Sequence, residues 1–227
     1  SEMAEAIEGA IDRLEADDAM WAGVLYSTGP VFCAGADLKA IAGGASDLGT
    51  ERGGFAGIVR RDRNKPLIAA LEGPAVAGGT EIVLACDLVV AAVTARFGLP
   101  EVKRSLIAAA GGLYRLPRAL PRNVAMELAL TGGDLDAATA HRHGLVNRLV
   151  EPGQALEAAL DLAAEINQNA PLAVRASRRA ILATQLLDDD EAERLVRRES
   201  RLVWRSDDFR EGPRAFVEKR PPVWQGR

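Results

Sequence analysis

The chain repeatedly runs from a short, largely apolar segment into a turn and then into a helical pattern. That recurrence restricts the fold more than any other feature. AGVLYS (Ala22 to Ser27) is followed by TGP and then FCAGADLK (Phe32 to Lys39). LIAALEG (Leu67 to Gly73) is followed, after Pro74, by AVAGGTEIVLAC. DLVVAAV (Asp87 to Val93) gives a third such run, extended by ARFG, and GLVNRLV (Gly144 to Val150) the last. Apolar runs this short, bounded by turns, read as buried strands. Strand, turn and helix in alternation predict a parallel α/β arrangement. The chain opens on an amphipathic helix over residues 2–17, with Met3, Ile7, Ile11 and Leu14 on one face.

Beyond Pro152 the pattern changes to almost pure helix. ALEAALDLAAEINQ, APLAVRASRRAILATQLL and DDDEAERLVRRESRLVWR space their apolar residues three and four apart. Asp188 to Asp190 set acids at a helix N-terminus, where the macrodipole favours them. The organisation is therefore an α/β part over residues 1–151 and a helical part over 152–227. Two other segments carry expectations. Ile41 to Gly54, rich in Gly and polar residues, reads as a mobile loop beside a binding site. FAGIVRRDR reads as a helix, and the basic run Arg60 to Lys65 as its solvated end, able to help hold a phosphorylated ligand.

Composition narrows the function classes. A net charge of −4 gives no electrostatic support to a nucleic-acid role. The only cysteines, Cys33 and Cys86, fit neither a zinc motif nor a disulfide framework, and a reducing cytoplasm is the expected setting. No apolar run reaches membrane-spanning length and no signal peptide is seen.

The chemistry-bearing residues sit at the turns. Gly78 and Gly79 open a helix, so free backbone N–H groups and the helix dipole there favour negative charge. Gly35, with Ala36 after it, offers a second such turn. Two turns of this kind can hold an oxyanion between them. Glu81 follows the glycine pair, and Glu101 comes 20 residues later in RFGLPEV. A lone Glu in an apolar helix is ordinarily surface-facing or paired, and an acid after Pro100 often only caps a helix. Buried carboxyls, however, have their pKa raised toward neutrality, as proton transfer requires. His141, His143, Cys33 and Cys86 carry no visible partner and read as packing or surface residues. Asp37 reads as a loop-fixing hydrogen-bond acceptor, and Asp134 and Asp136 as turn and cap.

These segments, in this order, resemble the crotonase superfamily, the enoyl-CoA hydratase/isomerase family. FCAGADLK is similar to its first oxyanion segment and GPAVAGGTEIVLACDLVVAA to its second. ARFGLPEVK with AAAGGLYRLPRALP is similar to the block carrying the second acid. LALTGGDLDAATAHRHGLVNRLVEP and FVEKRPPVW resemble its later stretches. The resemblance implies a spiral of ββα units followed by a helical C-terminal region. It implies an oxyanion hole from the N–H groups of Ala36 and Gly78, and Glu81 and Glu101 as the acid–base pair. It places Ala34, Asp37, Leu38 and Lys219 against an acyl-CoA thioester substrate.

By the same resemblance no cofactor or metal is needed, since coenzyme A is part of the substrate. Trimers or paired trimers are expected, with the C-terminal helices covered by a partner subunit. A further stretch carrying the opening strands is expected ahead of the first helix; without it the sheet exposes an edge. The expected reaction is hydration of a 2-enoyl-CoA, with fatty-acid degradation as the default pathway. The alternatives are a Δ3,Δ2-enoyl-CoA isomerase or another crotonase reaction, and, in a different class, an inactive acyl-CoA-binding or assembly subunit. The stretch SLIAAAGGLYRL after Glu101 lacks the family's usual Pro-Gly turn, which bears on substrate preference.

Overall fold

The computed structural model describes residues 2–39, 43–44 and 48–227. It opens with α1 (Glu2–Ala16), which seats Ala4, Ile11 and Leu14 on the protein. Four parallel strands form the larger sheet: β1 (Gly23–Tyr26), β4 (Leu67–Leu71), β6 (Leu88–Ala92) and β9 (Arg148–Val150), in that order across it. A smaller sheet holds β5 (Ala75–Val76), β7 (Arg96–Gly98) and β8 (Asp134–Asp136). Between β1 and β4, β2 (Gly49–Thr50) and β3 (Gly54–Phe55) pair as an antiparallel hairpin.

The two sheets are built by the same repeated step. β4 lies in the larger sheet and β5 in the smaller; β6 lies in the larger and β7 in the smaller. β1 follows suit, because Cys33 after it bridges Ala75 in parallel. A helix or helical turn follows each later pair: α2 (Gly78–Ala85) after β5, and a 3-10 helix (Pro100–Arg104) after β7. That step is the spiral of ββα units, and it brings successive turns onto one side of the molecule.

β4 explains why its sequence is apolar at every position. Ile68 and Ala70 face one side of the sheet and Ala69 and Leu71 the other, and all are fully buried. Ile68, Ala70 and Val90 meet Ala159 and Ala163 of α6 (Ala155–Asn167), whose small side chains let helix and sheet approach closely. On the other side, Leu71, Val89 and Phe97 join α3 (Gly112–Ala119) and α4 (Arg122–Thr131) in the main core through Leu116, Ala125 and Leu128. α5 (Ala137–Arg142) is capped by Asp136, which accepts from the Thr139 N–H at 2.7 Å. α7 (Pro171–Thr184), α8 (Asp189–Trp204) and α9 (Asp207–Glu218) complete the chain. Asp188 caps α8 as its acidic run predicts.

The structure corrects two sequence expectations. FAGIVRRDR is not a helix: Phe55 belongs to β3 and residues 56–60 are turns. Gly54, Ala56 and Gly57 all have positive φ (67°, 53° and 70°), which no right-handed helix accommodates. Ile58 and Val59, buried against Ile11 and Leu67, hold this segment by packing, and turn bonds such as Arg60 N–H to the Gly53 carbonyl at 2.8 Å close it. The basic run Arg60 to Lys65 is not a solvated helix end either. Arg63 is 5% exposed and donates to the Ala85 carbonyl at 2.6 Å and to Asp87 at 3.1 Å. Lys65 is 2% exposed, and its ammonium donates to the carbonyls of Leu14 and Asp17 at 2.7 Å each, satisfying the end of α1. These partners are distant in sequence, so local pattern gave no sign of them. Part of the Ile41 to Gly54 stretch lies outside the described residues; its last residues form the β2–β3 hairpin.

Candidate active site

Ala77 ends β5 with φ 52° and ψ −127°, a strained conformation for a residue with a side chain. Its N–H is held by the Gly98 carbonyl at 2.9 Å. Thr80, fully buried, fixes the first turn of α2: its hydroxyl lies 2.7 Å from the Ala75 carbonyl and accepts from the Gly98 N–H at 3.0 Å. The ring of Phe55 packs so closely on Gly78 that a Cβ there would overlap it. The second glycine turn meets this one directly. A Cβ on Gly35, whose φ is 91°, would lie 2.8 Å from the Ala77 Cβ and 3.0 Å from the Gly78 nitrogen. A Cβ on Gly79 would overlap the Cys33 carbonyl oxygen. Among the described residues, no acceptor is found for the N–H of Ala36 or of Gly78. Both donors are thus available to a ligand oxygen, on two backbone turns in contact.

Glu81 lies one helical turn further on, 4% exposed. Its Oε1 accepts a 2.8 Å hydrogen bond from the Gly112 N–H at the start of α3. Burial pushes its pKa above the usual carboxylate range, and the Glu101 charge pushes the same way. Opposing them are the N–H bonds from Gly112 and Ala110 and the charge of Arg115. Glu101, on the 3-10 helix, is half-buried, and its pKa is also raised by burial. Its Oε2 is buried without a hydrogen-bond partner.

The profile of the enoyl-CoA hydratase/isomerase family matches residues 1–227. The chain belongs to that family. An enoyl-CoA hydratase, EchA1 from Mycobacterium marinum, has a crystal structure that superposes at a TM-score of 0.94 with 49% identity, over 99% of this chain and 88% of its own. Enoyl-CoA hydratase EchA19 of Mycobacterium tuberculosis is 42% identical over 100% of this chain and 88% of its own length. Carnitinyl-CoA dehydratase of Salmonella typhi is 43% identical over 86% of this chain and 77% of its own length. Membership at this level makes the chain an enzyme of the hydratase, or lyase, type.

In this family member the structure gathers Gly35, Ala36, Gly78 and Glu81 closely, with Glu101 in electrostatic reach of Glu81. Ala34 and Leu38 are exposed beside the first turn. Asp37 Oδ1 accepts from the Lys39 N–H at 2.8 Å, a local turn bond. Lys219 stands apart: it is exposed at the left-handed end of α9, with no bond to the site among the described residues. Sequence reasoning missed Gly112, Thr80 and Phe55. The glycine pair at 111–112 was visible, but its carboxylate partner is 31 residues away. Among the described residues no group of three or more His, Cys, Asp or Glu is placed to share a metal ion. Likewise, no helix there is long and apolar enough to cross a membrane.

Proposed function

We propose that this protein adds water reversibly to a 2-enoyl-CoA thioester, giving a 3-hydroxyacyl-CoA. The observation that carries the reading is a pair of carboxyls, both held above their ordinary pKa by burial, beside two backbone N–H groups free to take an oxyanion. Glu81 is raised by burial and by the Glu101 charge, while the N–H bonds from Gly112 and Ala110 and the Arg115 charge pull toward its ionised form. Glu101 is raised by burial, with one oxygen left without a partner, which favours its protonated form. Burial that raises carboxyls in this way suits them to take up and give back protons, one as base and the other as acid.

In the hydration direction Glu81 orients a water and takes up its proton as the oxygen attacks C3. Electron density moves through C2 onto the thioester oxygen, and the enolate formed is held by the Ala36 and Gly78 N–H groups. Glu101 then delivers a proton to C2. Donors aimed at developing charge are worth about 10²–10³ in rate each. Polarisation by peptide N–H groups and proton transfer between carboxyls complete this cycle without a metal or redox cofactor. Coenzyme A serves as the handle whose binding energy positions the acyl chain. Carnitinyl-CoA dehydration, the activity in the name of one relative, is loss of water and so the same class of reaction run in reverse. Isomerisation of a 3-enoyl-CoA needs one base only and leaves Glu101 without a task.

The outer faces of the C-terminal helices support a homotrimer or paired trimers. Ile181 is 65% exposed, Phe216 85% and Val217 79%, apolar side chains that a neighbouring subunit would cover.

The test is a hydration assay with crotonyl-CoA, following loss of the conjugated enoyl-thioester absorbance, for wild type and Glu101→Gln. The expected result is turnover by the wild type and a drop of about 10²- to 10⁴-fold in the variant. Undiminished turnover by folded Glu101→Gln removes the acid from the mechanism. Conversion of a 3-enoyl-CoA but not of crotonyl-CoA assigns isomerisation instead.

A further inference from the structure

We propose that Arg115 is a positioning residue for the reaction, acting through Glu81 by locking the turn that holds its carboxylate to the segment that backs the oxyanion donor. The inference rests on the reading of Glu81 as the base. Arg115 lies on α3, three residues after Gly112. One arm of its guanidinium donates to the Val59 carbonyl at 2.6 Å, and the other to the Ala110 carbonyl at 3.3 Å. It packs directly over Gly111, where a Cβ would overlap its Nη1; Gly111 has φ 118°. The turn over residues 110–112, whose N–H groups hold Glu81, is therefore pinned from behind.

The other end of the clamp matters as much. Val59 belongs to the turn that follows β3, and Phe55 of β3 is the ring that abuts Gly78. One planar fork thus joins the two segments that set the relative placement of base and oxyanion donor. A guanidinium suits this task because its donors diverge in a fixed plane, which an ammonium does not reproduce. The Tyr114 ring, 4.9 Å from the Arg115 guanidinium carbon, supports it further. The charged groups that face Glu81 are Glu101 from the 3-10 helix and Arg115 from α3, acting in opposite directions.

The experiment compares Arg115→Met, Arg115→Lys, Glu81→Gln and the double variant Glu81→Gln/Arg115→Met in the crotonyl-CoA assay, with kcat, KM and pH profile. For Arg115→Met the expected result is a fall in kcat of about 10- to 100-fold with KM nearly unchanged. Its acid limb also moves to higher pH, because a charge favouring ionised Glu81 is gone. Arg115→Lys keeps that limb in place yet still loses kcat through the broken fork. In the double variant Arg115→Met adds nothing to the loss from Glu81→Gln. An unmoved acid limb in folded Arg115→Met, or independent losses that multiply, overturns the proposal. Should Arg115→Met fail to fold, full kcat in Arg115→Lys overturns it and a loss with an unmoved limb supports it. Failure of the underlying reading has a separate signature, since Glu81→Gln alone would then keep full turnover.

Discussion

The Oε1 atom of Glu81 sits 2.8 Å from the nitrogen of Gly112, and any side chain at residue 112 would press on that carboxylate. A Cβ there would lie 2.9 Å from the Ala108 Cβ, 3.1 Å from Glu81 Oε1 and 3.1 Å from Leu99 Cδ1. Gly112→Ala is therefore expected to shift the carboxyl and to lower kcat by about 10²-fold, the scale of a misplacement approaching 1 Å. The cost in stability is about 1–3 kcal/mol for overpacking. Steady-state kinetics beside a urea melt separate the two effects.

Glu81 also ties stability to pH. Burial holds its folded pKa above the ordinary 4.5, and unfolding restores the ordinary value. Its contribution is then fully present below pH 4.5 and is lost as pH rises through the raised folded value. Glu81→Gln removes the ionisation while keeping an acceptor for the Gly112 N–H. The variant is expected to melt above the wild type at neutral pH, with the difference closing as pH falls below that window. Parallel thermal melts from pH 4 to pH 8 check this; a constant difference counts against it.

Gly35→Ala tests the contact between the two turns. Residue 35 has φ 91°, and the added Cβ would lie 3.0 Å from the nitrogen of Gly78. The strain is of order 1–3 kcal/mol. Turnover is expected to fall about 10²- to 10³-fold, as on losing one oxyanion donor. Binding of a saturated acyl-CoA, measured by calorimetry, should fall far less.

Asp87 links the helical region to the sheet. It accepts from the Leu67 N–H at 2.8 Å and pairs with Arg63 at 3.1 Å and with Arg178 of α7 at 2.9 Å. Asp87→Ala leaves two half-buried or buried guanidinium groups without their carboxylate, at a cost of about 3–5 kcal/mol. Urea denaturation should show the lower midpoint, with Asp87→Asn between variant and wild type.

The parts of the fold that were legible in the sequence are those whose signal is local. β4 and β6 are apolar on both faces, and α6, α7 and α8 carry helical periodicity, so each could be placed within a few residues. β5 and β8 are two and three residues long and leave no periodic trace. The turn after β3 hid behind the helical spacing of Phe55, Ile58 and Val59, while positive φ at Ala56 and Gly57 ruled the helix out. At the site, Glu81, Gly35 and Gly78 were visible because glycines and an acid in an apolar segment stand out. Gly112 and Arg63 act through contacts across 20 or more residues, and Lys65 through α1, which only the folded chain reveals.

The donors of this site are peptide N–H groups, which nearly every amino acid supplies. What cannot be replaced is the empty space at Gly35, Gly78, Gly79 and Gly112, where a Cβ meets Ala77, Phe55, Cys33 and Ala108. Glycine alone lacks a Cβ, so any amino-acid change at these positions adds a side chain. The geometry of these two backbone turns and of the Glu81 carboxylate therefore depends on a few positions where no other residue fits without displacing a neighbour. The exposed Leu106 and Ile107, just beyond the 3-10 helix that carries Glu101, are under no such restriction. Substitution is sterically open on that side and closed at the four glycines.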